Sequence, residues 1–77
     1  MPSYLVETYV PKARQDDARA AARELSRIDA SIRYVRMTLL PGDETCFHLV
    51  VADSEEAVAE ACRRAGLGSP RIVPAVE

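Results

Sequence analysis

The chain has 77 residues, of which 48% are hydrophobic and 29% charged, and its net charge is -2. A chain this short cannot divide its core, so we expect one domain over residues 1–77. The acidic balance argues against a nucleic-acid-binding protein, since such proteins carry a basic excess that neutralises phosphates. No apolar run approaches the roughly 20 residues of a membrane span. Residues 1–7 lack the features of a secretory signal, which favours a cytoplasmic protein.

The small size of the core has its own consequence. Domains below about 80 residues gain little net stability from apolar burial and often add a metal, a disulfide or a partner subunit. Cys46 and Cys62 do not have the spacing of a metal finger, and in a reducing compartment they are expected to be thiols. A homodimer is therefore the favoured assembly.

The first third of the chain predicts a strand followed by a helix. Residues 3–10 alternate apolar and β-favouring side chains and are closed by Pro11. Over residues 15–29 the apolar spacing becomes helical, and Asp16 and Asp17 lie where a helix N-terminus favours negative charge. This second segment is predicted to be an amphipathic helix.

A hairpin and a second strand-helix unit follow. Residues 31–40 and 45–52 have strand composition, and the Pro-Gly-Asp turn at 41–43 joins them.

The second helix opens at Asp53, with Glu56 three residues later as in a capping box, and Gly66 is its predicted stop. Residues 71–76 form a short last strand, and Pro74 places it at a sheet edge because proline removes a ladder donor.

The element order is strand, helix, strand, strand, helix, strand. Right-handed crossovers interleave the two halves into a four-stranded antiparallel sheet with both helices on one face. We therefore expect an α+β ferredoxin-like βαββαβ sandwich that dimerises as an α/β barrel, with the first and third strands central.

The more apolar side of each strand is assigned to the helices. This rule gives a core of Tyr4, Val6, Val35, Met37, Leu39, Phe47, Leu49 and Val51. The outer face then carries Glu7, Tyr9, Tyr34, Arg36, Thr38, Cys46, His48 and Val50. A second subunit packed over that face would enclose a polar cavity.

His48, the only histidine, is the centre of the predicted site. With Cys46 and Glu7 it forms a candidate transition-metal ligand set of thiolate, imidazole and carboxylate. With Glu7 alone it is a candidate catalytic general base, because a carboxylate raises the basicity of an imidazole. The alternative is a purely structural Glu7–His48 pair.

Three other outer-face residues are candidate ligand contacts. The guanidinium of Arg36 suits a carboxylate, although it is also placed to pair with Glu7. Tyr9 and Tyr34 offer phenol groups, with packing at a dimer contact as the alternative.

Several stretches resemble a known bacterial family. They are MPSYLVE at 1–7, IRYVRMTLL at 32–40, ADSEEAV at 52–58, RRAG at 63–66 and RIV at 71–73. Together they are similar to small ferredoxin-like proteins named nickel-responsive or nickel-binding protein-like. The resemblance implies a dimer whose sheets pack face to face, and nickel as a candidate metal.

The chain departs from that family in one respect. Members often carry a histidine in the second helix two places before the RRAG run, and here the position is Ala61. The family's third-strand cysteine falls near Cys46 and His48. Any metal in this chain would therefore need a site built on His48, Cys46 and Glu7.

Three functions remain open at this point. The first is a homodimeric protein that holds a metal or small ligand on the polar sheet face. The second is a cofactor-independent α/β-barrel enzyme, such as a cyclase, isomerase or oxygenase, in which His48 is the base and Arg36 holds an anionic substrate. The third is a structural or interaction module whose outer face is only a subunit contact.

Overall fold

A computed structural model describes residues 2–76, so Met1 and Glu77 lie outside the described residues. The strands are β1 (Ser3–Tyr9), β2 (Arg33–Leu40), β3 (Thr45–Val51) and β4 (Arg71–Ala75). The helices are α1 (Asp16–Ile28) and α2 (Glu55–Arg64), with short 3-10 turns at Lys12–Arg14 and Pro41–Asp43. Within residues 2–76, neither helix is long and apolar enough to cross a membrane.

The sheet has the order β2-β3-β1-β4, and every neighbouring pair is antiparallel. β1 and β3 are central, and β4, which contains Pro74, lies at an edge, where proline is tolerated in a sheet. The predicted α+β ferredoxin-like arrangement is confirmed.

Helix α2 begins one residue later than the sequence predicts. Its N-cap is Ser54, whose hydroxyl accepts a hydrogen bond from the Ala57 amide at 3.2 Å, and Asp53 precedes the cap. The helix ends as predicted near Gly66, which has a φ of 82°, a conformation that glycine adopts without steric cost.

The sheet side that packs against the helices, here called the covered face, holds the core. Its main cluster joins Tyr4, Val6 and Val50 of the strands to Leu25 of α1 and Val58 of α2. A smaller cluster comprises Val10, Ala18 and Cys46, with Met37 and Leu39 packed against it. Burial of these side chains supplies the main driving force for folding.

The opposite side, here called the open face, also carries apolar side chains. Its apolar members are Leu5, Leu40, Phe47, Leu49, Val51, Val73 and Ala75, placed by their pairing across the strands. Both helices pack on the other side of the sheet, and Leu49 is nevertheless only 4% exposed. The more apolar side of β3, with Phe47, Leu49 and Val51, therefore lies on the open face.

The predicted facing of β3 is wrong. Val6 pairs with His48 and Tyr4 pairs with Val50, so these residues share the covered face, whereas Phe47, Leu49 and Val51 lie on the open face. Because side chains alternate, assigning the wrong side moves every residue of the strand to the other face. The prediction failed because the more apolar side of β3 faces away from the helices, so the rule that the apolar side packs against the helices does not hold for this strand.

The predicted facing of β2 is wrong only at its start. A register shift between Tyr34 and Arg36 places Val35 at a bulge, where it is 40% exposed instead of buried. Tyr34 consequently points to the covered face while Arg36 stays on the open face, and strict alternation resumes with Met37 inward.

Candidate functional site

The candidate site is a hydrogen-bonded row of side chains on the covered face. Cys46 and His48 are both 0% exposed, and His48 is the only buried polar or charged residue among those described. Buried polar side chains require hydrogen-bond partners, because an unpaired one forfeits its hydration without compensation. Both ring nitrogens of His48 have such a partner.

The three side chains of this row, Tyr34, His48 and Cys46, lie at short distances from one another. The Tyr34 hydroxyl oxygen lies 2.6 Å from Nδ1 of His48, and Nε2 of His48 lies 3.6 Å from Sγ of Cys46. The Tyr34 and His48 rings are tilted by 58°, with centroids 5.8 Å apart. Either the imidazole donates to Tyr34 and accepts from the thiol, or both directions are reversed, and each arrangement satisfies all three groups.

Burial keeps all three groups neutral. It lowers the pKa of His48 below its ordinary value of 6.5 and raises the pKa of the Cys46 thiol above 9.0. Burial also raises the pKa of Tyr34 to about 12. Desolvation opposes the charged form in each case, so the site carries no net charge at neutral pH.

Local backbone geometry explains why these side chains meet. Cys46 and His48 occupy alternate positions of a central strand, and the β2 bulge turns Tyr34 toward them. The sequence analysis correctly put Tyr34 and His48 on one face of the sheet, but it assigned both to the wrong face and did not predict their contact.

Met37 is a neighbour that sequence reasoning assigned only to the core. It is the cross-strand partner of His48, is half-buried, and packs against the small cluster that contains Cys46. The signal that identifies it is the pairing register, which a single sequence does not reveal.

The remaining predicted site residues lie elsewhere. Glu7 pairs with Phe47 on the open face, where its carboxylate accepts a hydrogen bond of 3.4 Å from Arg71. Tyr9 is 71% exposed at the end of β1. Because Glu7 and Arg36 lie on the open face while His48 is on the covered face, the predicted Glu7–His48 pair and a shared cavity with Arg36 do not form.

Conventional ligand clusters are absent from the described part of the chain. Residues 2–76 contain no group of three or more His, Cys, Asp or Glu side chains placed to hold one ion. The second cysteine, Cys62, is a free buried thiol in the main core cluster.

A surface groove of about 530 Å³ lies between the end of β1, the start of α1 and the loop after α2. Two of its lining residues, Arg14 and Asp17, form a salt bridge of 2.8 Å. A third, Glu7, forms the salt bridge with Arg71. The groove includes Glu7 and Tyr9 but none of the three buried site residues. It is therefore separate from the Cys46–His48 pair.

The fold matches a solved structure over nearly its whole length. The crystal structure of SCO4226 from Streptomyces coelicolor A3(2) aligns with a TM-score of 0.80, covering 97% of this chain and 99% of that one. The sequence identity is 20%, so this similarity establishes the fold alone. A search of the curated proteins gives no match.

A family model described as "Nickel responsive protein SCO4226-like" matches residues 4–74. The match extends from the first residues of β1 into β4 and so includes every strand and helix that builds the covered face. The chain therefore belongs to the SCO4226-like family of nickel responsive proteins.

Proposed function

We propose that this protein is a homodimeric binding protein that holds a transition-metal ion at Cys46 and His48, on the covered face of each sheet. The observation that carries the proposal is the distance of 3.6 Å between Sγ of Cys46 and Nε2 of His48. The open face then serves dimerisation and takes no part in holding the ion.

The separation of the two donors supports the proposal. Thiolate and imidazole bonds of about 2.3 Å and 2.0–2.1 Å place sulfur and nitrogen about 3.5 Å apart on a tetrahedral ion and about 3.8 Å apart on a trigonal one. The observed distance lies between these values. An ion bound there replaces the thiol proton.

Tyr34 provides the second requirement of such a site. Metal-binding histidines generally use the other ring nitrogen for a hydrogen bond that fixes ring orientation and tautomer. The Tyr34 hydroxyl lies at Nδ1, which leaves Nε2 as the metal donor. Tyr34 is thus a positioning residue for His48.

Nickel, the ion in the family name, fits the site in donor chemistry but not in donor number. Thiolate and imidazole both bind nickel, and Cys46 and His48 would hold it. Four-coordinate nickel needs further donors, and the described residues hold no cluster of three conventional ligands. Glu7, the third predicted ligand, lies on the other side of the sheet.

Apolar side chains at the centre of the open face support the homodimer. An antiparallel sheet that is solvated on one side normally carries polar residues there, whereas this one carries Leu5, Phe47 and Leu49 at its centre. Oppositely charged groups, Glu7 and Arg71, lie on the same face and can pair across a two-fold axis. A second copy is therefore the occupant that we propose.

Metal titration tests the proposed function. Purified metal-free protein is titrated with Ni²⁺, Co²⁺, Zn²⁺ and Cu⁺, and stoichiometry is read by native mass spectrometry. We expect one ion per chain for at least one metal, lost in Cys46→Ala and His48→Ala and retained in Cys62→Ala, which removes the other buried thiol. Binding that survives both site substitutions, or no binding of any of the four ions, contradicts the proposal.

A further inference from the structure

A third soft donor lies next to the Cys46–His48 pair. Met37 is directly opposite His48 in the β2–β3 register and points to the same covered face. It packs against the cluster that contains Cys46, and Leu39 beside it is the direct cross-strand partner of Cys46. The pairing register thus places the thioether of Met37, a soft metal donor, on the same face as Cys46 and His48.

On the basis of the proposed function, we propose further that Met37 is a ligand to the same ion and that the site selects monovalent copper over nickel. The ligand set is then a thiolate, an imidazole and a thioether. Soft sulfur ligands of this kind select Cu⁺, whereas nickel prefers tetragonal sites rich in nitrogen and oxygen.

Coordination number supports this selection. A three-donor set from Met37, Cys46 and His48 suits an ion of low coordination number. Nickel would need additional donors, and neither an acidic cluster nor a second histidine is present among residues 2–76 to supply them. Water is a poor substitute because both Cys46 and His48 are fully buried.

Charge leads to the same conclusion. When Cys46 binds a metal it releases its thiol proton to solvent, so the thiolate brings one negative charge. With Cu⁺ the buried site remains neutral, as it is without metal. With Ni²⁺ it gains one positive charge in an apolar core, which is unfavourable without a second anion. The carboxylate of Glu7 cannot serve, since it lies on the open face.

Met37→Leu is the matched substitution, because leucine keeps most of the volume and removes only the sulfur. Cu⁺ affinity is measured anaerobically by competition with bicinchoninate, and X-ray absorption at the copper edge counts sulfur neighbours. We expect two sulfur neighbours in the unsubstituted protein and one in Met37→Leu, with affinity at least about tenfold weaker in the variant. Cys62→Ala should match the unsubstituted protein in both measurements.

The outcomes separate the two proposals. If Met37→Leu binds Cu⁺ unchanged while His48→Ala does not, Met37 is not a ligand and the inference fails while the proposed function stands. Tighter binding of Ni²⁺ than of Cu⁺ overturns the copper selection in the same way. If neither ion binds at Cys46 and His48, both proposals fail.

Discussion

The two faces of β3 carry different side chains, and we propose a different function for each: metal binding on the covered face and dimerisation on the open face. On the covered face, the fully buried Cys46 and His48 are linked by hydrogen-bond contacts to each other and to the half-buried Tyr34. On the open face, Phe47 and Leu49 lie on the side of the sheet opposite α1 and α2. The thiol and the imidazole are thus in the core, and the larger apolar side chains of β3 lie on the opposite side of the sheet.

This reversal explains how a small chain can meet two requirements with one sheet. A buried imidazole and thiol are held rigidly by packing, which is what a preorganised binding site needs. Apolar side chains on the open face would add stability if they packed against a partner, and small domains often gain stability in this way. A substitution on one face should therefore leave the function of the other intact.

The largest expected effect comes from placing a charge on each face of β3. Val50→Asp buries an unpaired carboxylate in the main core cluster, and we expect it to lower the free energy of unfolding by about 4 kcal/mol or more. Phe47→Asp places its charge at a half-buried position on the open face, and it should give a folded monomer. Circular dichroism melts measure the stability of Val50→Asp, and sedimentation velocity measures the association state of Phe47→Asp.

Thr38→Asp is the second open-face variant, because Thr38 is exposed and pairs with Phe47. It should weaken the dimer with little change in chain folding. A Phe47→Asp and a Thr38→Asp protein that both remain dimeric would contradict the assignment of the open face to self-association.

The next effect concerns the hydrogen bond between Tyr34 and His48. Tyr34→Phe removes the hydroxyl 2.6 Å from Nδ1 and leaves a buried ring nitrogen unpaired. We expect the free energy of unfolding to fall by about 2 kcal/mol, measured by urea denaturation. Tyr9→Phe, at a tyrosine that is 71% exposed, is the control and should change stability little. Equal effects of the two substitutions would contradict the burial of the site.

The pH dependence of the metal-free protein should show the buried imidazole. Because burial lowers the pKa of His48 below 6.5, the unfolded chain binds a proton near pH 6.5 that the folded chain does not. The stability contributed by the neutral imidazole is complete above pH 6.5 and is lost as the pH falls toward the pKa of His48 in the folded protein. Tyr34 and Cys46 face His48 and stay neutral throughout, since burial raises both of their pKa values.

Urea denaturation from about pH 8 to about pH 5 measures this slope. His48→Gln should show a shallower decline than the unsubstituted protein below pH 6.5. The same decline in both proteins would mean that another group is responsible.

The smallest effect is expected for the ion pair on the open face. Glu7 and Arg71 are 3.4 Å apart, and the Arg71 side chain is 74% exposed. Solvent screening limits such a pair to about 0–1 kcal/mol, so Glu7→Gln should barely change the stability of a single chain. Metal affinity should also be unchanged, measured with the same titration. A loss of metal binding in Glu7→Gln would restore Glu7 to the ligand set.

The sequence predicted the element order and the sheet topology because those depend on local patterns. Alternation at 3–10, the Pro-Gly-Asp turn and Pro74 each constrained one element, and the boundaries fall within two residues of those observed. The helix N-cap differed by one residue because both Asp53 and Ser54 are suitable caps.

The site was only half predictable. Cys46 and His48 share a face by alternation alone, and that part is confirmed. Which face they share depends on packing, and β3 has apolar residues on both sides. The β2 bulge that brings Tyr34 to the same face, and the register that places Met37 opposite His48, are tertiary features with no signal in the sequence.

The most direct test of the separation between the faces is metal stoichiometry in a monomeric variant. Phe47→Asp and unsubstituted protein are loaded with Cu⁺ and compared by native mass spectrometry, with Thr38→Asp as the second variant. We predict one ion per chain in both monomer and dimer, because Cys46 and His48 lie within one chain on the covered face. A folded monomer that loses the ion would place the metal between the two sheets and contradict this account.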